Sequence, residues 1–252
     1  MPRQEREKSS SGIYHVMLRG INRQDLFEDN ADRQRFIDTL GHYKTISGFS
    51  LYGYCLMSNH VHLLVKEADE SISAGIKRIS SSFVYWYNQK YSRCGHLFQE
   101  RYKSEPVESE DYFLTVLRYI HQNPVKAGIV KDLFEYKWSS YQEYMGSPYI
   151  ADVDFALGIF SADRAKAIEL FMKHSEENTD VKCLEIEENS GLSDDEVLIY
   201  MKQLGVQTAS QLQRLEREKR DGILKTIKGL EGVSIRQLAR ITGISKSVIG
   251  RI

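Results

Sequence analysis

Cys55-Leu56-Met57-Ser58-Asn59-His60-Val61-His62-Leu63-Leu64-Val65 reads as the end of one β-strand, a tight turn and a second strand. Side chains alternate between the faces of a strand. Val61, Leu63 and Val65 therefore share one face, apolar and fit to meet helices. His60 and His62 share the other with Leu64 and Lys66. Two imidazoles at i and i+2 can meet one metal ion where that face is open to a ligand. Alone, such a pair is more often two satisfied polar side chains, so its meaning depends on what the rest of the chain brings to it.

Working outward, Ile13–Arg19 alternates and is rich in β-formers, a first strand, and Gly20-Ile21-Asn22-Arg23 is a polar break. Asn30 caps a helix with the stripe Phe36, Ile37, Leu40 and Tyr43; Gly48 ends it, and Phe49–Met57 is the second strand. Beyond the histidine strand, Ser71 opens a second helix with Ile72, Ile76, Ile79, Phe83 and Trp86 at helical spacing. Arg101–Val107 reads as a fourth strand. Ser109, with Glu110 and Asp111 in the first turn, opens a third helix. The order βαββαβα predicts an α+β, ferredoxin-like domain: an antiparallel sheet with helices on one face, the histidine face left bare.

In the third helix Phe113, Val116, Leu117 and Ile120 make the core stripe. Tyr119 lies about 100° round from Ile120. Asn123 follows one turn later on the same side, with Gln122 near it, while His121 points away. Pro124 is expected to break or kink the helix there. A phenol and an amide at a helix end are by themselves an ordinary boundary pair. With two histidines on a bare strand they form a set. Two imidazoles and an amide oxygen can hold a divalent ion that leaves positions for phosphate oxygens. A phenol beside that ion can attack phosphorus, but with a free pKa of about 10 it needs help from the ion or a nearby base to lose its proton. The phosphotyrosine formed is again a phosphodiester, so a strand is cut and rejoined without ATP.

Ser58-Asn59-His60-Val61-His62-Leu63-Leu64-Val65 resembles the His-hydrophobe-His motif of the single-tyrosine HUH transposases, and Arg118-Tyr119-Ile120-His121-Gln122-Asn123-Pro124-Val125-Lys126-Ala127-Gly128 is similar to their tyrosine helix. Gly95-His96-Leu97-Phe98-Gln99-Glu100-Arg101-Tyr102-Lys103 resembles a segment of the REP-associated tyrosine transposases. The resemblance covers roughly residues 12–147. It implies a metal-dependent endonuclease and strand transferase acting on single-stranded, often hairpin, DNA. In it Tyr119 is the nucleophile, and His60, His62 and Asn123 ligate Mg²⁺ or Mn²⁺, with Gln122 the alternative third ligand. It also implies a homodimer with paired sheets. Two other readings stay open at this stage: a DNA-binding regulator whose nuclease site has decayed, and a zinc-dependent hydrolase using water.

Composition is that of an ordinary globular chain, with 41% hydrophobic and 27% charged residues among 252. No run approaches the roughly 18 apolar residues of a membrane span, and Met1–Gly12 has no apolar core of a secretory signal. Cys55, Cys94 and Cys183 are scattered and odd in number, which points to the cytoplasm and away from a disulfide framework. Net charge is −1, against a simple basic nucleic-acid binder, but its distribution is uneven. Cationic side chains number 19 against 18 acidic in residues 1–150, 4 against 10 in 151–191, and 11 against 7 in 192–252. The expected organisation is a disordered tail over 1–12, the enzyme domain over 13–147, a helical and acidic connector over 148–191, and a helical DNA-binding domain over 192–252.

Lys77, Arg78, His96, Arg101 and Lys103, interleaved with Tyr85, Trp86, Tyr87, Tyr91 and Tyr102, are the expected DNA contacts of the first domain. Trp86 and half the tyrosines read equally as core. His15 either shares the histidine face or packs on the next strand. Near the end, Ser234–Ile252 resembles a helix-turn-helix, as in replication initiators: Ala239 is small at a crossing, Gly243 suits the turn, and Ser245 caps the second helix. Ser245, Lys246, Ser247 and Arg251 are its candidate DNA contacts.

Overall fold

The structure is a computed structural model that describes residues 6–99, 101–146, 148–177, 183–184, 192, 194–230 and 232–252. Four antiparallel strands form one sheet in the order β2-β3-β1-β4: β1 Ile13–Arg19, β2 Ser50–Leu56, β3 His60–Lys66 and β4 Lys103–Pro106. The sequence pattern placed all four, with β4 shorter than expected. Register sorts the faces. Across β1 and β3, Val16 opposes Leu63 and Leu18 opposes Val61 on one side. His15 opposes Leu64, Met17 opposes His62 and Arg19 opposes His60 on the other.

Helices α1 (Asn30–Ser47) and α2 (Ile72–Lys90) cover the first face. Val16, Leu18, Phe36, Leu40, Leu63, Ile76 and Phe83 make one continuous core there. The N-cap of α1 is Asp29, one residue before the expected Asn30. Its carboxylate accepts from the Asp32 amide in a reciprocal capping box.

The histidine face is not bare. Helix α3 (Glu110–Lys126) lies on it, and Phe113, Leu117 and Ile120 pack with Leu64, Cys55 and Tyr144 in a second core. The expectation of helices on one face fails because that face is itself largely apolar. Only its β1/β3 end is polar. Gly53 sets the approach: a Cβ there would lie 2.7 Å from Leu117 Cδ1, and Leu117 is fully buried. Gly53→Ala is therefore expected to push α3 off the sheet and cost about 1–3 kcal/mol, read as a lower denaturation midpoint. An unchanged midpoint would show that α3 yields freely.

Pro124 sits inside α3 without ending it. Its ring costs one helical N–H but its φ suits the helix, and the chain runs on to Lys126 before Gly128 turns at φ +69. Residues 148–177 are not a connector. Helices α4 (Val153–Phe160) and α5 (Arg164–Glu176) bury Val153, Leu157 and Phe171 in the second core. The two helices are separated at Ser161, which is extended. Residues 6–12 are likewise held: Ser10 and Ser11 donate to Glu108, and Ser11 Oγ donates to Val107 O. Most of the acidic run Glu176–Glu188 lies outside the described residues. The chain divides into two compact units, Met1–Glu185 and Ile186–Ile252.

The second unit is all helical: α6 Asp194–Gln203, α7 Ala209–Arg214, α8 Arg217–Lys228, α9 Ile235–Thr242 and α10 Lys246–Arg251. Leu212, Leu224, Ile227, Leu238 and Ile249 form its core. α7 and α8 are separated at Leu215-Glu216, and Gly222 is tolerated within α8. Between α9 and α10, Gly243 adopts φ +69, and Gln213 of α7 donates to Thr242 O at 2.7 Å.

Candidate active site

Strand β3 brings His60 and His62 to one face with their ring centroids 4.9 Å apart. Helix α3 lays Tyr119 over them in the same chain, its ring 5.6 Å from that of His62 and 5.8 Å from that of His15. Asn123, one turn on, donates Nδ2–H to Tyr119 O at 2.9 Å, and its side chain also hydrogen-bonds to His60. The four expected residues thus converge.

Each histidine is held from behind. His60 Nδ1 lies 2.7 Å from Asn59 Oδ1. His62 Nδ1 lies 2.9 Å from His15 Nε2, and His15 Nδ1 lies 2.8 Å from Glu105 Oε1. Glu105 is anchored in turn by the Leu184 amide at 2.9 Å. A carboxylate only accepts, and with one proton on each ring the chain has a single solution. His15 donates to Glu105, His62 donates to His15, and His62 Nε2 keeps a lone pair. His60, donating to Asn59, likewise keeps its Nε2 lone pair. Carboxylate and carbonyl partners behind a histidine are the arrangement that orients metal-binding imidazoles.

Burial pushes the His60 imidazole down to about 4, with the Arg19 charge adding to the effect and the Asn123 hydrogen bond opposing it. His62 is likewise pushed well below the ordinary imidazole value by burial and by His15 and His60 beside it. Both rings are thus neutral near pH 7, the form that binds a cation. Among the described residues no three His, Cys, Asp or Glu side chains group to hold a metal ion. The donor set is instead two imidazoles and an amide oxygen. It suits a divalent ion because both rings are held neutral by burial and His60 is fixed through Nδ1 by Asn59, which leaves Nε2 to ligate.

Gln122, the alternative ligand, is held by its amide nitrogen, while its Oε1 is buried and makes no hydrogen bond among the described residues. Its Nε2 donates to Ser175 O and Glu177 O, capping α5. His121 is buried against Ser140 Oγ, away from Tyr119 as expected. Three further groups enter that the sequence reading did not select. Lys126 places Nζ 5.5 Å from the Tyr119 ring centre, and its spacing of seven from Tyr119 was a legible sign. Arg19 and Glu105 come from the pairing of β1 with β3 and β4, which no local pattern shows.

Of the expected DNA contacts, Lys103 opposes Met17 and so lies on the histidine face. Lys77, His96 and Arg101 line a groove beside α2. Arg78 is turned to Glu70 and Ser47 instead. In the second unit Ser245, Lys246, Ser247 and Arg251 are exposed on α10. Arg251 joins Arg217, Arg220 and Lys225 around a cavity of about 530 Å³ between α8 and α10. Ser245 caps α10 without a side-chain hydrogen bond, its Oγ lying 3.0 Å from Ser247 Oγ.

No described helix is long and apolar enough to cross a membrane. Residues 8–123 match the family described as "Transposase IS200 like". A Haemophilus influenzae protein named as a REP-associated tyrosine transposase is 24% identical over 156 residues, 56% of this chain and 86% of that one. The solved structure of a REP-associated tyrosine transposase bound to a REP hairpin has the same fold: TM-score 0.52 at 18% identity, over 61% of this chain and 93% of that one. A Deinococcus radiodurans transposase structure is more distant, with TM-score 0.35 and 20% identity over 48% of this chain and 97% of that one. Residues 8–123, somewhat under half of the chain, are thus similar to the IS200-like transposases, and the fold is that of a REP-associated tyrosine transposase.

Proposed function

We propose that the chain is a divalent-metal-dependent endonuclease and strand transferase for single-stranded or hairpin DNA, acting through a 5′-phosphotyrosine. The observation that carries this reading is the placement of the Tyr119 ring within 5.6 Å of the His62 ring, above the His60 and His62 pair of its own chain. His60 and His62 through Nε2, and Asn123 through its amide oxygen, are the ligands of Mg²⁺ or Mn²⁺. Bound there, the ion supplies Lewis-acid polarisation of the scissile phosphate. Tyr119 Oη forms the bond to phosphorus as the P–O3′ bond breaks; the phenolic proton is lost and the 3′-oxygen leaves as a hydroxyl. Lys126 and Arg19 set positive charge beside Tyr119 and His60, where phosphate charge develops. Reversal by another 3′-hydroxyl rejoins the strand.

The test is incubation with hairpin DNA and Mn²⁺. A covalent adduct that retains a 3′ label and loses a 5′ label is expected, with the linked peptide containing Tyr119. Clean hydrolysis without adduct would overturn the reading in favour of water as nucleophile.

Glu105 and His15 are positioning residues in this scheme. Glu105→Gln is expected to weaken Mn²⁺ binding by about 10–100-fold, measured by calorimetry on the DNA-free protein. An unchanged affinity would remove them from the site. A homodimer remains part of the proposal, but not through β2. That edge is closed within the chain: Leu56 N–H donates to Trp138 O, Tyr54 N–H to Ser140 Oγ and Leu51 N–H to Asp152 Oδ2. The cationic α8/α10 cavity supports the second unit as a duplex-DNA contact, with Arg251 and Lys246 meeting phosphates.

A further inference from the structure

Where α3 and α5 meet, two buried side chains each end in an oxygen without a partner among the described residues. Gln122 is 6% exposed and Ser175 is fully buried, and neither Gln122 Oε1 nor Ser175 Oγ makes a hydrogen bond there. The two residues are neighbours, because Gln122 Nε2 donates to Ser175 O at 2.8 Å. Buried polar groups are normally paired, so two orphans side by side call for a partner. Both line a cavity of about 240 Å³ beside the last turn of α3. Val125 and Leu133 give that cavity an apolar wall. Its rim is charged: Asp132, Glu176 and Lys131 are exposed there, and Lys126 borders it with Nζ toward the Tyr119 ring. Tyr141 closes the inner end. Burial pushes its phenol up to about 12, and the charges of Glu176 and Asp132 add to the shift. The hydroxyl therefore stays protonated, and the potential beside it is negative.

A single water, about 30 Å³, fills only a small part of this space. A phosphate ester would meet as many carboxylates as lysines. A metal ion would meet Lys131, and among the described residues no three His, Cys, Asp or Glu side chains group to hold one. An ammonium and a carboxylate on one carbon match the lining. The ammonium donates to Gln122 Oε1 and faces the Glu176 and Asp132 carboxylates. The carboxylate accepts from Ser175 Oγ and from Lys131. Val125 and Leu133 then receive a short apolar side chain. We infer that the cavity between α3, α5 and residues 131–141 binds a small aliphatic α-amino acid. The site uses no atom of the proposed metal set and does not depend on the cleavage chemistry.

The test is calorimetry and saturation-transfer NMR on the full chain with L-valine, and with L-alanine and L-leucine beside it. Saturable binding is expected, with Kd on the order of 0.01–1 mM. Valinamide lacks the carboxylate and 2-hydroxy-3-methylbutyrate lacks the ammonium; each is expected to bind about tenfold more weakly or worse. Ser175→Ala is expected to weaken valine binding about tenfold with the melting temperature unchanged, since its Oγ has no hydrogen bond to lose. Lys131→Gln, an exposed change, is expected to weaken valine and leave valinamide as it was. Absence of saturable binding by all three amino acids would overturn the inference. So would a valine affinity untouched by both substitutions, or equal binding of valinamide or of deoxycytidine monophosphate. The Tyr119 adduct is read separately on hairpin DNA, so either reading can fail while the other stands.

Discussion

Tyr119→Phe is expected to abolish the covalent protein–DNA adduct and to lower strand cleavage by a factor on the order of 10⁴ or more. Phenylalanine keeps the ring that packs edge-on against His15 and His62, so the helix should not move. What is removed is one oxygen, the atom that bonds to phosphorus. Hairpin affinity and Mn²⁺ affinity should therefore stay near those of the parent, because neither uses that oxygen. The measurement is a denaturing gel with 3′-labelled DNA, beside anisotropy for binding. Residual cleavage at the parental rate would mean that water or another side chain attacks, and Tyr119 would lose its role.

His60→Ala is expected to abolish Mn²⁺ binding in the calorimeter and, with it, cleavage, while hairpin binding persists. His60 is the cleaner of the two histidines to replace. His62 is fully buried and bonded to His15, so its removal would also strand a buried nitrogen at a cost of about 1–3 kcal/mol. The pH behaviour follows from burial. An imidazole with an ordinary pKa of about 6.5 would be half protonated there and would shed a cation as pH falls through it. His60 sits at about 4, below the ordinary value, and His62 is shifted the same way. Protonation therefore competes with the metal only below about pH 5. Mn²⁺ affinity should hold nearly constant from pH 8 to pH 6 and fall only under more acidic conditions. A tenfold loss between pH 7.5 and pH 6 would show that the rings are solvated and the site differently built.

Much of the first unit was legible because its signals are local. Alternation in Ile13–Arg19 and His60–Lys66, the caps Ser71 and Ser109, and the stripe Phe113, Val116, Leu117 and Ile120 each need only neighbouring residues to read. Misreadings arose where the deciding partner is distant. Residues 148–177 look like a charged connector until the second core supplies a surface for Phe171 and Leu157. Pro124 looks like a stop until the packed helix tolerates one missing bond. No local pattern shows that α5 holds the Gln122 amide nitrogen on the carbonyls of Ser175 and Glu177.

By itself the sequence determined the strand that points two imidazoles the same way, and the helix that carries Tyr119 and Asn123 one turn apart. Periods of two and 3.6 are properties of the backbone, and they hold whatever the rest of the chain does. Tertiary structure alone decided that this helix covers the histidine face and not the opposite one. It also decided that Glu105, through His15, stands behind His62, and that Arg19 stands beside His60. Those placements depend on strand pairing across 40 to 90 residues. Burial of apolar area drives that pairing, and the hydrophobic effect carries no directional mark in the local sequence.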